Sequence, residues 1–324
     1  MQVTQSELHA VSQAALMAHG AADWIAASVA DAVTEAEATG NRICGLYYLE
    51  SYCLQLVSGR VKGDVEPVVT RPRPGEVNVD GRLGFAQPAF AKGLPLALEA
   101  ARDCGVARLS VGHTHTCTAV GFFTAQAARA GVICLGMTNA SPVVAPPGGR
   151  MRVIGTNPVA FSVPDGKGGV AMQFDQSTTV VALGAITMAK AAGRAIPEGW
   201  AVDAEGRPTT DPDAALKGSL VSVGGYKGWG LGLMVELLAA GMTGSVTSRG
   251  VSALKAPEGK PHDLGQFYLL IDPADGFAGT FAQVAAAVAE DPGARMPGQG
   301  RVLADPIEVD PEAWALAQRL AGKV

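Results

Sequence analysis

Apolar and polar positions are interleaved at helical spacing through the first sixty residues, and three helices are predicted there. The first opens at Thr4. Thr4 and Glu7 have the spacing of a reciprocal cap, in which hydroxyl and carboxylate each satisfy an otherwise bare backbone N–H. It runs to about His19 and stops at Gly20. A second helix covers about Ala22 to Thr39 before Gly40-Asn41, and a third runs from near Leu46 to Ser58-Gly59. A helical segment of this kind serves as a brace or a dimer arm.

The period changes after residue 61. Val65, Val68 and Val69, a break at Pro72 and Pro74, and then Val77-Asn78-Val79 running into Asp80-Gly81 read as strand, loop, strand and tight turn. Helices and strands then alternate. Helices are predicted over about 89–104, 119–130, 178–192, 227–240, 278–289 and 311–321. Strands are predicted over 107–112, 132–137, 159–163, 170–174 and 266–271, with a proline- and acid-rich loop over 197–212. This alternation predicts an α/β fold around a central mixed sheet flanked by helices. Gly, Pro and charge cluster near 62 and 292, which divides the chain into 1–62, 63–291 and 292–324.

Composition narrows the function. The 324 residues carry 25 Lys and Arg against 30 Asp and Glu, a net charge of −5, which excludes the basic face that nucleic acid or an anionic membrane requires. With 48% hydrophobic residues and only 17% charged, the chain is predicted to fold rather than stay disordered. No apolar run reaches membrane-spanning length, and the N-terminus lacks a basic then apolar signal segment, so a cytoplasmic location is expected. Cys44, Cys53, Cys104, Cys117 and Cys134 form no C-x-x-C pair and are expected to be reduced.

Four segments carry chemistry. Gly224-Gly225-Tyr226-Lys227-Gly228 opens a helix: bare amides, a positive dipole end and an ammonium suit a phosphate, although a close-packed glycine turn would look the same. No G-x-G-x-x-G follows a strand, so a Rossmann fold is not expected. His113-Thr114-His115-Thr116-Cys117 follows a strand. Were the strand to continue, His113, His115 and Cys117 would share a face as in a metal site. One strand rarely supplies three ligands, and no metal is expected. A histidine there otherwise donates a proton, contacts a nicotinamide or is a hydrogen-bonded loop residue. Asp175, before Gln176 and Ser177, caps a helix, orients a histidine or binds a ribose hydroxyl. Thr138-Asn139-Ala140-Ser141-Pro142 and Pro146-Pro147-Gly148-Gly149 are rigid, donor-rich turns.

As a set these segments resemble the type-2 malate/L-lactate dehydrogenase family over nearly the whole chain. The resemblance is carried by Met137–Pro142, Ala145–Gly149, Ile154–Pro158, Pro197–Trp200, Pro208–Pro212, Gly224–Gly228 and Arg295–Gly298, in the family's order. It implies a non-Rossmann fold that binds NADPH or NADH, a small-molecule substrate with a C=O or C=N beside a carboxylate, and a homodimer. By the same resemblance, Thr116, Cys117, Thr118, Ser141, Thr156, Asp175, Gln176, Ser177, Lys227, Arg295, Gln299 and Arg301 contact the cofactor. His115 and Asp175 flank the nicotinamide. Most members carry Ser-His-Gly with Arg three residues later. Here Ile43, Cys44 and Tyr48 occupy the serine, histidine and arginine positions. Cys44 is then a weak proton donor, and Arg42 and Tyr48 are candidates to hold the substrate carboxylate.

A protonated cyclic imine needs no donor after hydride arrives, whereas a ketone does. The expected function is therefore reduction of Δ1-pyrroline-2-carboxylate or Δ1-piperideine-2-carboxylate. The alternatives are a malate- or lactate-type 2-hydroxyacid dehydrogenase, a non-catalytic nucleotide sensor and a metal-dependent hydrolase.

Overall fold

The computed structural model describes residues 1–322. Strand β1 (Gln2–Val3) leads into helices α1 (Gln5–Ala18), α2 (Asp23–Ala38) and α3 (Leu46–Val57). Hairpin strands β2 (Val68–Arg73) and β3 (Glu76–Asp80) precede α4 (Ala86–Cys104), β4 (Val106–Thr114) and α5 (Val120–Arg129). Then come β5 (Ile133–Thr138), β6 (Val159–Pro164), β7 (Val170–Gln176) and α6 (Leu183–Ala191). The short β8 (Ala201–Val202), β9 (Pro208–Thr209), α7 (Pro212–Lys217) and β10 (Ser219–Leu220) lead to α8 (Tyr226–Glu236), which runs on as a π-helical turn over Leu237–Gly241. β11 (Leu264–Ile271), α9 (Phe277–Ala289), β12 (Ile307–Glu308) and α10 (Pro311–Leu320) complete the described chain.

The central sheet has seven strands in the order β2-β3-β4-β11-β5-β6-β7. Only the β3–β4 pair is parallel, so the sheet is mixed and not Rossmann-like. This alternation brings the ends of β4, β5 and β7 and the starts of β6 and β11 to one edge, and the loops at that edge carry the chemistry. Helices α4 and α5 cover the sheet, with Phe90, Phe123 and Tyr268 packed edge to face beneath them.

The N-terminal helices form a second core that also takes in the C-terminus. Leu8, Leu16, Ile25, Val29, Leu49 and Tyr52 are buried with Ile307, Trp314 and Ala317. The pairing of β1 with β12 closes the same layer. Thr4 and Glu7 make both bonds of the predicted reciprocal cap. Among the described residues, no helix is long and apolar enough to cross a membrane.

Three elements differ from the sequence expectation. β2 runs through Pro72, because β2 is an edge strand and can spare an amide; the turn falls at Pro74-Gly75 instead. The helix expected from 178 starts at Leu183, since Val180 donates to Val221 and Val223 to Thr178. The loop over 197–212 contains the β8–β9 hairpin.

Candidate active site

Asp175 lies at the end of β7, and its carboxylate accepts the Gly121 amide at 2.8 Å. It therefore caps α5 rather than a helix of its own. A side chain at Gly121 would press on Asp175 at 3.0–3.2 Å, so the close approach requires glycine. Asp175 keeps a water-accessible surface while protein surrounds it on most sides, as a residue in a cleft wall does. Burial raises its pKa, opposed by the Gly121 amide, the Arg301 charge and the Val120 amide.

The single turn of 3₁₀ helix over Arg42–Cys44, leading into α3, brings Cys44 within electrostatic reach of Asp175. The Cys44 thiol is pushed up to about 12, first by burial and then by the Asp175 charge. Tyr48 is raised by burial and then by Cys44, and Cys117 by burial and then by Asp175. Cys44 and Cys117 thus bring neutral S–H groups near the one carboxylate, and the neutral Tyr48 O–H adjoins both thiols. No histidine stands among them.

The exit of β7 ties this cleft to α8. Thr178 donates its amide and hydroxyl to the Thr156 carbonyl at 2.9 and 3.0 Å, and Val223 donates to Thr178 at 3.0 Å. Thr156 sits beside the Ala140-Ser141 turn, because Gly155 packs directly on Ala140. Gly224 and Gly225 follow with φ of 61° and 63°, and no atom would obstruct a side chain at Gly225. Gly228 has no such room, because a Cβ there would overlap the Val223 carbonyl. At the start of α8 the Lys227 amide bonds the Gly224 carbonyl at 3.4 Å, the amides of Tyr226 and Gly228 have no partner among the described residues, and exposed Lys227 forms no ion pair among them. This arrangement suits a phosphate. Ser177 bonds Thr179, and Gln176 pairs with Val159 at the mouth.

The segment around Arg295–Arg301 crosses the outer edge of β7. Gln173 donates its amide to Pro297, and Arg301 donates to the Gln173 side chain at 2.6 Å. Gln299 accepts the Met296 amide within the loop, and both Gln299 and Arg295 are exposed.

Two expected assignments are corrected. His115 does not reach the cleft. It is 2% exposed, stacks on His262, touches Tyr52 and Phe85 edge-on, and bonds Gln55 through Nε2. Tyr52 stands between it and Tyr48. The period-two argument fails because His113 takes a left-handed φ of 54°, which ends the alternation and turns its ring to Asp263 at 2.7 Å. Arg42 does not join Tyr48. Its guanidinium donates to the Glu308 carbonyl and lines a separate cleft of about 290 Å³ with Ile43, Tyr47, Met188 and Asp310. Thr116 is buried behind the cleft wall with its amide on His262, while Thr118, with φ of 60°, is half-buried between Cys117 and α5. Among the described residues, no group of three or more His, Cys, Asp and Glu side chains is placed to hold a metal ion.

Sequence reasoning passed over Gln55, Arg60, Lys255 and His262. For His262 a signal existed: Pro261-His262-Asp263 immediately precedes a strand, so it meets His113–His115 at the same sheet edge.

A family model described as malate/L-lactate dehydrogenase matches residues 3–306. The chain is 39% identical over 302 residues to a (2R)-3-sulfolactate dehydrogenase (NADP(+)) of Chromohalobacter salexigens, covering 92% of this chain and 90% of that one. It is 34% identical to a Δ1-pyrroline-2-carboxylate/Δ1-piperideine-2-carboxylate reductase of Pseudomonas putida, covering 99% and 96%. The crystal structure of the Δ1-piperideine-2-carboxylate reductase from Pseudomonas syringae pvar. tomato superposes with a TM-score of 0.92 at 32% identity, over 99% of both chains.

Proposed function

The chain belongs to the malate/L-lactate dehydrogenase family, and on that premise we propose that it reduces a small cyclic imino acid, Δ1-pyrroline-2-carboxylate or Δ1-piperideine-2-carboxylate, to L-proline or L-pipecolate. It is an NAD(P)-dependent oxidoreductase, which sets aside the sensor and hydrolase readings. A bound reduced nicotinamide, NADPH or NADH, supplies the hydride. The amides of Tyr226 and Gly228 and the Lys227 ammonium bind its phosphate, Ser141, Thr156, Gln176 and Ser177 line its path, and the Arg295–Arg301 loop closes the far side.

The observation that carries the reading is the cleft wall. The Asp175 charge acts on neutral Cys44 and Cys117, neutral Tyr48 adjoins both thiols, and no histidine stands among them to shuttle a proton. An iminium arrives already protonated. The Asp175 carboxylate stabilises its positive nitrogen, and hydride addition at C2 leaves an amine that needs no donor. Similarity to two reductases of these imines supports the same reading. A second reading, a 2-hydroxyacid dehydrogenase, is supported by the similarity to a sulfolactate dehydrogenase and by the raised pKa of Asp175, which suits it to take an alcohol proton.

A panel of cyclic imino acids and 2-keto acids, each assayed with both reduced cofactors, separates them. The expected result is a kcat/KM for one of the two imines at least about tenfold above that for pyruvate, oxaloacetate or sulfopyruvate. Efficient oxidation of malate, lactate or sulfolactate without imine turnover would replace the first reading with the second.

A further inference from the structure

The proposed substrates carry a carboxylate as well as the iminium, and the Asp175 carboxylate that suits the iminium repels the other end. Arg301, whose charge acts on Asp175, bonds the Gln173 side chain, and Arg42 bonds the Glu308 carbonyl in a separate cleft. A third cation, Lys255, reaches the start of α3 beside Tyr48 from a distant part of the chain. The loop over 251–263 folds back along α3 and is fastened there. Gln55 donates to the carbonyls of Leu254 and Ala256 at 2.8 and 2.7 Å, Ser58 to Pro257 at 2.7 Å, and Arg60 to Ala253 and Lys260 at 3.0 and 2.9 Å.

These bonds lay Lys255 across the first turn of α3. Its Nζ donates to the Tyr47 carbonyl at 3.0 Å, lies 3.3 Å from the Tyr47 ring centroid and 5.4 Å from that of Tyr48. Tyr48 stands one helical turn after Cys44, the thiol on which the Asp175 charge acts. No carboxylate among the described residues pairs with Lys255. An ammonium has three N–H donors, and one is used. The aromatic faces hold the charge at the rim without neutralising it.

We infer that Lys255 binds the substrate carboxylate, with the Tyr48 ring against the apolar body of the substrate. The inference rests on the imino-acid reading above. The ammonium sets the orientation: carboxylate toward α3, with the reacting carbon and nitrogen toward Asp175.

The test uses the full chain and two dead-end probes of one shape, pyrrole-2-carboxylate and pyrrole-2-carboxamide. Lys255→Met should raise the KM for the imine and the Ki of the carboxylate about tenfold or more, leave the carboxamide Ki unchanged, and change kcat by less than about threefold. Lys255→Arg should restore most of the loss. Lys255 is exposed, so the fold tolerates these changes; Lys255→Gln gives a second neutral variant. Wild-type turnover of the imine with equal Ki changes for both probes, or none, would remove Lys255 and leave the functional reading standing. A wild type that turns over no cyclic imine would remove both.

Discussion

At the scale of residues, the informative group lies behind the active cleft. His115 and His262 stack with centroids 4.0 Å apart beside Arg60, a guanidinium 1% exposed that bonds carbonyls and Ser252. Thr116 donates its amide to His262 Nδ1, which places the ring proton on Nε2. Burial and the Arg60 charge push His262 down to about 3; burial, His262 and Arg60 hold His115 well below the usual imidazole range. Both are neutral in the folded chain, whereas an unfolded imidazole titrates near about 6.5. Below that pH the unfolded chain takes up protons that the native state refuses. Stability should therefore fall as pH drops from about 6.5 toward 3, by on the order of 1–2 kcal/mol per histidine at pH 5. Urea unfolding between pH 8 and 5 should show a shallower pH dependence for His262→Asn than for wild type; parallel curves would contradict the assignment. The residue types at this site were legible in the sequence, since a strand-end His-x-His attracts notice. The direction each ring takes was not, because Tyr52 and the left-handed turn at His113 decide it. Asp175 was legible as a strand-end carboxylate, but the amide it caps lies 54 residues earlier.

At the scale of elements, α8 shows how a helix with little amphipathic pattern is held in place. Glu236, near its end, is a buried carboxylate with three donors: the Ser248 amide and hydroxyl, each at 2.6 Å, and Asn157 Nδ2 at 2.8 Å. Asn157 has φ of 38°, and its amide also reaches the Gly232 carbonyl. The Ser248 hydroxyl in turn accepts the Gly155 amide. One carboxylate thus joins α8 to the turn that carries Thr156. Glu236→Gln replaces an acceptor with a donor facing donors, and should cost about 1–3 kcal/mol in unfolding free energy. If the turn also shapes the cofactor path, the variant's KM for the nicotinamide nucleotide should rise more than its kcat falls; an unchanged cofactor KM would confine Glu236 to stability. The helices and strands of the central sheet were legible, because their period and stops are local. The start of α6 and the continuation of β2 through Pro72 were not, because pairing with residues 221–223 and a place at the sheet edge set them.

At the scale of the whole molecule, one stretch of the surface exposes several large apolar side chains in a row. Leu231, Met234, Leu237 and Met242 follow one another along α8 and its π-helical extension at three- to five-residue steps. They are 48%, 39%, 70% and 41% exposed. Burying one such side chain is worth about 1.5–3 kcal/mol, and a contiguous stripe of this kind marks an interaction surface. A second copy of the chain is the occupant that the resemblance implies, since a two-fold contact lays the same stripe against itself. The chain of 33.0 kDa should then sediment at twice that mass, and Leu237→Asp, which sets two charges in opposition across the axis, should shift it to the monomer. Leu237 lies at the far end of α8 from Lys227, so a monomeric variant that still binds reduced nucleotide would separate assembly from the cofactor site. A wild type that sediments at 33.0 kDa across the micromolar range would leave the stripe without this partner.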